Sequence, residues 1–310
     1  MDKNAFFMYS LLKEVKSIIL NALEKNSRTI DTLSVYAFTN ENISGYLKDV
    51  NGDIALSVCS SGDQYLNLVC RGFSEIDLVD TNPLTEFYTL GIKQALVLGF
   101  SFENYFKILS FLFKNRKYDV IEEKVLFYLL DFMEEKYFLF WKEVFNYYIS
   151  LQHVYHRDIT LFQILTQDYY FDLDEIIFYN AYMQDQEKFQ KVKRNVCQIK
   201  TSFTLDNLFS YQGDKLYHLI LCSNILEHTY LPNCDIKRLK ELFSSLIHQL
   251  YDEGVLFASY IYHLYRDECV KNYPIGGFDI KARELLKEEV LVVPSLRKQN
   301  KDGILVLRRS

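Results

Sequence analysis

The sequence is poor in the residues that break or rigidify a chain: of its 310 residues, 11 are glycine, 4 are proline and 1 is tryptophan. It contains no G-x-G-x-x-G loop, Walker A loop, H-E-x-x-H pair or nucleophile elbow, so the sites that those motifs build are not indicated. The 6 cysteines include no C-x-x-C pair, which argues against a zinc site or a disulfide framework. No metal is therefore predicted.

Long apolar runs and an excess of positive charge are also missing. No run approaches the roughly 18 apolar residues that a membrane-spanning helix needs, and residues 1–20 do not resemble a signal peptide. We therefore expect a cytoplasmic protein with no transmembrane segment. The net charge of −6 argues against a dominant phosphate-binding surface, so no nucleic-acid partner is expected.

Two short apolar runs stop abruptly at small or acidic residues, as buried parallel strands do where their carboxyl ends open into a ligand crevice. The first covers residues 54–59 and leads into the small-residue loop 60–63; the second covers residues 75–79 and ends at Asp80. Asp80 follows that loop by about 20 residues, the spacing at which nucleotide-binding α/β folds place a ribose-binding carboxylate. Asp80 therefore indicates a nucleoside ligand.

Alternating strands and helices predict a mostly parallel sheet with right-handed crossovers. Helical periodicity alone fills residues 84–191, which is far longer than an ordinary connection between strands. The last two strands are separated by a polar turn, so they are expected to pair as an antiparallel hairpin. The later strands are expected at residues 196–199, 217–223, 255–261, 290–293 and 303–307.

Four segments carry a resemblance to a known family: residues 57–63 (SVCSSGD), 79–83 (VDTNP), 219–228 (LILCSNILEH) and 254–257 (GVLF). They are similar to class I S-adenosylmethionine-dependent transferases. The serine-rich first loop, the VDTNP segment leading into a helix with Lys93, and the helical insertion most resemble the S-adenosylmethionine:diacylglycerol 3-amino-3-carboxypropyltransferases. Of the glycines that ordinary methyltransferases carry in the first loop, only Gly62 is present.

The resemblance implies a class I methyltransferase-like (Rossmann-like) α/β fold, with a terminal antiparallel hairpin and a large helical insertion between strands 2 and 3. It also implies S-adenosylmethionine as the cofactor. The expected organisation is N-terminal helices and a cofactor lid at 1–50, a cofactor-binding α/β domain at 51–83 and 192–310, and the helical insertion at 84–191.

The expected cofactor site lies at the carboxyl ends of the strands. Asp80 would accept hydrogen bonds from both ribose hydroxyls; its alternative role is the N-cap of the helix after Pro83. The first loop would wrap the amino-acid tail, with Asp63 pairing with its ammonium; the alternative is a plain capping loop. The predicted cofactor-binding residues are Ser60, Ser61, Gly62, Asp63, Asp80, Asn82, Thr201, Ser202, Ser223 and Asn224.

Thr201 and Ser202 are expected after the third strand, where this fold meets the adenine, and Ser223 with Asn224 at the end of the fourth. The predicted catalytic residues are Asn224, His228 and Tyr36. His228 has a suitable ordinary pKa for a general base, and the alternative is a surface histidine at the start of a helix. Tyr36 belongs to the polar and aromatic block 35–42, which would be either a lid over the cofactor or an N-capped helix start.

The predicted function is transfer of a methyl or 3-amino-3-carboxypropyl group from S-adenosylmethionine to a small-molecule or lipid-like acceptor. The alternative is a non-catalytic binding or scaffold protein that keeps the fold, which the missing loop glycines favour. An NAD-dependent enzyme is disfavoured, because pyrophosphate needs the close backbone approach that G-x-G-x-x-G provides.

Overall fold

A computed structural model describes residues 3–27, 31–114, 118–167, 172–224, 236–260, 289–294 and 301–309. Seven strands within these ranges form one sheet in the order β3-β2-β1-β4-β5-β7-β6. The strands are β1 (Ile54–Val58), β2 (Glu75–Asp80), β3 (Lys200–Leu205), β4 (Tyr217–Leu221), β5 (Leu250–Tyr260), β6 (Glu289–Pro294) and β7 (Lys301–Arg308).

The first five strands run parallel, and β7 is antiparallel to both β5 and β6. This order and direction define the class I methyltransferase-like fold with its terminal antiparallel pair, as predicted. Between β2 and β3 the described residues form helices joined by short loops and include no strand; a single bridge joins Thr166 to Val35. The large helical insertion is therefore confirmed.

The helices are named in chain order, and two segments wind as wider π-turns. They are α1 (Lys3–Lys25), α2 (Ile43–Tyr46), α3 (Asp63–Arg71), α4 (Leu84–Glu86), π1 (Phe87–Lys93), α5 (Gln94–Gly99), α6 (Phe102–Leu109), π2 (Ser110–Lys114), α7 (Val120–Leu130), α8 (Glu135–Tyr155), α9 (Leu161–Leu165), α10 (Leu173–Tyr179), α11 (Ala181–Gln184), α12 (Gln186–Asn195) and α13 (Ile236–Ile247). None of the described helices is long and apolar enough to cross a bilayer.

The chain divides into two compact units. The helical unit comprises Met1–Phe38, Ser60–Asp63 and Asn82–Leu173. The sheet unit comprises Thr39–Cys59, Gln64–Thr81 and Asp174–Ser310.

The core of the sheet unit forms because β1, β4 and residues 255–258 of β5 carry mostly apolar side chains. Leu56, Ile220 and Leu256 are fully buried on these three strands. Phe243 and Leu246 of α13 pack into the same cluster, so the amphipathic face of that helix covers the sheet. The strands are thereby held rigidly, and with them the residues at their carboxyl ends.

A buried tryptophan links two helical segments of the helical unit. Trp141 of α8 is fully buried, and its Nε1–H donates to the carbonyl oxygen of Phe87 at 2.9 Å. Phe87 opens π1, and such wide turns occur frequently at functional sites. A Cβ atom on Gly91 would lie 2.6 Å from the Trp141 Nε1 atom, so glycine allows this close approach.

Two predicted boundaries were wrong. Residues 196–199 are not a strand: Val196 is buried at the end of α12, and β3 begins at Lys200. The strand expected at residues 255–261 begins earlier, at Leu250: Tyr217 pairs with Leu250, whereas Leu219 pairs with Val255. The extra residues of β5 form a bulge, which uses the same Gly-containing segment as a turn would.

Candidate functional site

The carboxyl edge of the sheet unit contains the point at which the strand order reverses. From β1 the chain adds β2 and β3 on one side, and later β4 and β5 on the other. Open α/β sheets bind ligands at this reversal, outside the carboxyl ends of the strands. The residues that end β2 and β4 therefore flank the expected ligand position.

Asp80 is the last residue of β2 and is partly buried. Its carbonyl oxygen accepts the backbone N–H of Asp206 at 3.0 Å, which joins the ends of β2 and β3. The alternative role of Asp80 as a helix cap is not supported. The N–H of Leu84 donates to Asn82 Oδ1 at 2.9 Å, so Asn82 supplies that cap.

Ser223 follows β4 by two residues and has φ of 52°, in the left-handed region. Residues with a Cβ atom are strained there, and such strain is concentrated at functional sites. The surrounding contacts hold the conformation: the Ser223 carbonyl oxygen accepts the Ser259 N–H at 3.0 Å, and Gln64 Nε2 donates to Ser223 Oγ at 3.3 Å. Ser223 therefore connects β5 and the first turn of α3 at this edge.

Glu41 is a residue of this edge that sequence reasoning missed. It is 2% exposed, and its Oε1 atom accepts hydrogen bonds from Ser223 Oγ and from the Asn224 N–H at 3.2 Å. Its Oε2 atom accepts from Ser259 Oγ at 2.6 Å and from the Tyr46 hydroxyl at 3.2 Å. Burial raises the pKa of Glu41, and these four hydrogen bonds oppose that rise.

The segment around Glu41 is held by hydrogen bonds of its own in the sheet unit. Glu41 N–H donates to Thr39 Oγ1 at 3.1 Å, and Asn42 is the N-cap of α2. Both Thr39 and Asn42 are buried. The part of the block 35–42 that lies in the sheet unit is therefore fixed by its own caps and by Glu41.

Thr201 and Ser202 do not lie after β3, as predicted, but within its first half. They pair with Ile76 and Asp77 of β2. Ser202 Oγ donates to Asp77 at 2.5 Å, and Thr201 Oγ1 donates to the Tyr65 hydroxyl at 3.4 Å. The predicted placement was wrong because β3 starts later than its sequence pattern indicated.

Asp77 holds an internal polar network and not a ligand. Its carboxylate also accepts from Lys215 Nζ at 2.8 Å and from the Tyr217 hydroxyl at 2.9 Å. Burial acts to raise the pKa of Asp77, but these hydrogen bonds and the Lys215 charge outweigh it and hold the pKa below its ordinary value. Asp77 therefore stays ionised as part of the scaffold.

In the helical unit, the loop Ser60–Asp63 is fixed by a buried ion pair. Lys93 Nζ lies 2.8 Å from Asp63 Oδ1, and both side chains are 0% exposed. The same ammonium lies 3.9 Å from the ring centroid of Phe38, a cation–π contact. The Asp63 carboxylate, which was predicted to pair with the ammonium of the ligand, is paired with Lys93 in this structure.

The loop itself has an unusual backbone. Ser60 has φ of 48° and Gly62 has φ of 79°, both left-handed. Ser61 Oγ donates to Asp63 Oδ2 at 3.2 Å, within the loop. A Cβ atom on Gly62 would lie 2.8 Å from Thr89 Oγ1, so this position requires glycine for both conformation and space.

Asn82 and Tyr36 also belong to the helical unit. The Asn82 Nδ2 atom donates to the carbonyl oxygens of Leu33 at 3.1 Å and Ser34 at 3.4 Å. Its Oδ1 accepts the Leu84 N–H, so both ends of the Asn82 amide make hydrogen bonds within the helical unit. Tyr36 is partly buried next to the Val35–Thr166 bridge. His228 lies outside the described residues.

The described residues contain no group of three or more His, Cys, Asp or Glu side chains that could hold a metal ion. Cys59, Cys70 and Cys222 are buried free thiols, and Cys197 is an exposed one. Burial raises the pKa of Cys222, and the nearby Glu41 charge adds to that rise. This thiol is therefore protonated and inert.

No protein-family model and no curated protein sequence matches this chain. Among solved structures, it is similar to the N-methyltransferase NodS from Bradyrhizobium japonicum WM9, with TM-score 0.39, 10% identity and coverage of 84% of this chain and 88% of that one. It is also similar to the rRNA methyltransferase aviRa from Streptomyces viridochromogenes, with TM-score 0.38, 9% identity and coverage of 85% and 80%.

A third similar structure is the glycopeptide N-methyltransferase MtfA in complex with S-adenosylmethionine, with TM-score 0.38, 8% identity and coverage of 90% of this chain and 99% of that one. These scores and identities are too low to carry an argument about function. The class of fold is defined by the strand order and direction of the sheet.

Proposed function

We propose that this protein binds S-adenosylmethionine at the carboxyl edge of its sheet and transfers a group from it to an acceptor. The observation that carries the proposal is Asp80, a carboxylate at the end of β2 beside the reversal of strand order. A carboxylate there can accept hydrogen bonds from both hydroxyls of a ribose. The seven-strand order with an antiparallel β7 favours S-adenosylmethionine over a dinucleotide.

The proposed ligand lies across β1, with its ribose at Asp80. Its adenine then extends toward the end of β3, and its amino-acid tail toward Ser223 and Asn224 after β4. Because the sulfonium is already an activated leaving group, catalysis needs mainly positioning and exclusion of water. A polar turn at the end of β4, tied to buried neighbours, provides such positioning.

Two reactions are compatible with this cofactor. If its methyl carbon faces the acceptor, methyl transfer releases S-adenosylhomocysteine; if the γ-carbon of its tail faces the acceptor, 3-amino-3-carboxypropyl transfer releases methylthioadenosine. Methyl transfer is the more common reaction on this fold. The serine-rich loop Ser60–Asp63, with its single glycine, resembles that of the 3-amino-3-carboxypropyltransferases and favours the second reaction. Mass analysis of the products after incubation with cell extract distinguishes them.

Asp80→Asn tests the ribose site. The variant keeps the side-chain volume but removes the charge, and hydrogen bonds to a charged group contribute about 1.5–3 kcal/mol. We expect the affinity of the folded variant for S-adenosylhomocysteine, measured by calorimetry, to fall at least about tenfold.

Asp53→Asn is the matched control, because Asp53 is exposed and precedes β1 at the opposite edge of the sheet. It should leave the affinity unchanged. Unchanged affinity in folded D80N would place the ribose elsewhere. A wild-type protein that binds neither S-adenosylmethionine nor S-adenosylhomocysteine would refute the proposed function, and binding without any product would favour the scaffold alternative.

A further inference from the structure

The sheet unit contains a buried carboxylate that the proposed chemistry does not use directly. Glu41 accepts four hydrogen bonds, two on each oxygen, and all four donors are hydroxyl or backbone N–H groups of the sheet unit. A carboxylate has about four lone-pair sites, so these donors fill it. Glu41 is therefore built to hold its neighbours in place and not to receive a further ligand group.

The two oxygens of Glu41 act on different elements. Oε1 holds Ser223 and Asn224, the two residues that follow β4, whereas Oε2 holds Ser259 on β5 and Tyr46 on α2. The left-handed φ of 52° at Ser223 is a conformation that serine adopts only when its surroundings impose it. Glu41 supplies two of the contacts that impose it, from a segment distant in sequence.

Keeping this carboxylate buried is costly. No Lys, Arg or His side chain is among its hydrogen-bond donors in the part of the chain that the structure describes, and its pKa is raised by burial. A buried charge without an ionic partner lowers stability unless hydrogen bonds compensate. Strain at Ser223 and a buried carboxylate at Glu41 that is held only by uncharged donors thus occur together at one strand end, as expected where a site must hold a defined geometry.

We propose that Glu41 is a positioning residue that holds the Ser223–Asn224 turn in the conformation that meets the amino-acid tail of the ligand. The inference rests on the proposed function, because it requires that the ribose lie at Asp80 on the opposite side of β1. The tail then points toward β4. Glu41 itself does not touch the ligand.

Two ligands separate this role from general stability. S-adenosylhomocysteine carries the amino-acid tail, and methylthioadenosine has the same nucleoside without it. A residue that positions the turn should affect the first ligand and spare the second. A residue that merely stabilises the fold should affect both ligands equally, or neither.

Glu41→Ala removes all four acceptor contacts, and Glu41→Gln is the conservative rescue. A glutamine can direct its carbonyl oxygen to Ser223 and to the Asn224 N–H. Its NH₂ group would face the hydroxyls of Ser259 and Tyr46, which can rotate to accept hydrogen bonds. The turn should therefore keep its conformation in E41Q and lose it in E41A.

We expect E41A to weaken S-adenosylhomocysteine binding about tenfold while methylthioadenosine binding stays unchanged, and E41Q to bind both ligands as the wild type does. If E41A does not fold, E41D, whose shorter carboxylate cannot reach both sets of donors, should show the same selective loss. Equal loss of both ligands, or no loss of either, overturns the positioning role. Failure of the wild type to bind either ligand would instead refute the proposed function.

Discussion

The buried Glu122 side chain of α7 should make the free energy of unfolding depend on pH, and this dependence can be measured. Its side chain is 1% exposed; Oε1 accepts the Leu161 N–H at 3.1 Å, and Oε2 accepts the Tyr148 hydroxyl at 3.2 Å. Burial raises the pKa of Glu122 from 4.5 to about 7, more than these hydrogen bonds lower it. The substitution Glu122→Gln removes this titration and nearly preserves the shape.

The sign of the effect follows from which state holds the proton more tightly. A carboxyl whose pKa is higher in the folded protein favours folding at low pH. That contribution is complete below the unfolded pKa of 4.5 and is lost as the pH rises to about 7. At about 1.4 kcal/mol for each pKa unit, the wild type loses roughly 3 kcal/mol of its free energy of unfolding across this window.

The hydrogen bonds of Glu122 can survive the substitution. The carbonyl oxygen of the introduced glutamine can accept from the Leu161 N–H, and its NH₂ group can donate to the Tyr148 hydroxyl. That hydroxyl already lies 3.0 Å from the carbonyl oxygen of Ile159, to which it can donate. We therefore expect E122Q to equal the wild type near about pH 5 and to exceed it by up to about 3 kcal/mol near about pH 8.

Urea unfolding at a series of pH values measures this difference. Glu123→Gln is the control, because it neutralises the adjacent residue, whose side chain is 29% exposed. In this variant the free energy of unfolding should still fall between about pH 5 and about pH 8, as in the wild type. If E122Q keeps the slope of the wild type, Glu122 is not the group that titrates. If E122Q is destabilised at every pH, the buried carboxylate contributes more as an acceptor than its desolvation costs.

Two further predictions concern the loop Ser60–Asp63. Lys93→Met should lower the free energy of unfolding by about 3–5 kcal/mol, because it leaves the Asp63 carboxylate buried without its partner. The double variant K93M/D63N should be more stable than K93M in urea unfolding, and equal stability would contradict the ion-pair argument. Gly62→Ala should cost about 1 kcal/mol or more, because φ is 79° and the new methyl group would meet Thr89. Adding Thr89→Ala to G62A should restore only the part of the lost unfolding free energy that comes from the clash with Thr89. Full recovery of that free energy would mean that the backbone at residue 62 is not strained.

The central strands were predictable because burial on both faces leaves a nearly continuous apolar run. β1 and β2 have this pattern, with three and four buried residues in succession. β3 lies at the edge of the sheet, and the residues of Lys200–Leu205 are all either exposed or only partly buried. Its polar sequence carries no such signal, and the apolar Val196 before it belongs to the end of a helix. The positions of Thr201 and Ser202 were mistaken for this reason.

The candidate site was predictable only where a strand itself delivers the residue. Asp80, Ser223 and Asn224 follow directly from the rule that ligands meet the carboxyl ends of parallel strands. Glu41 is separated by 182 residues from Ser223 and by 218 from Ser259, so nothing in its local sequence distinguishes it from a solvated glutamate. The left-handed backbone at residue 223 was equally unpredictable, because a serine in the sequence does not indicate a positive φ as a glycine does. Strand-end rules therefore find the residues at the edge where a ligand is expected, whereas the groups that hold those residues in place come from segments that only the folded chain brings to the same edge.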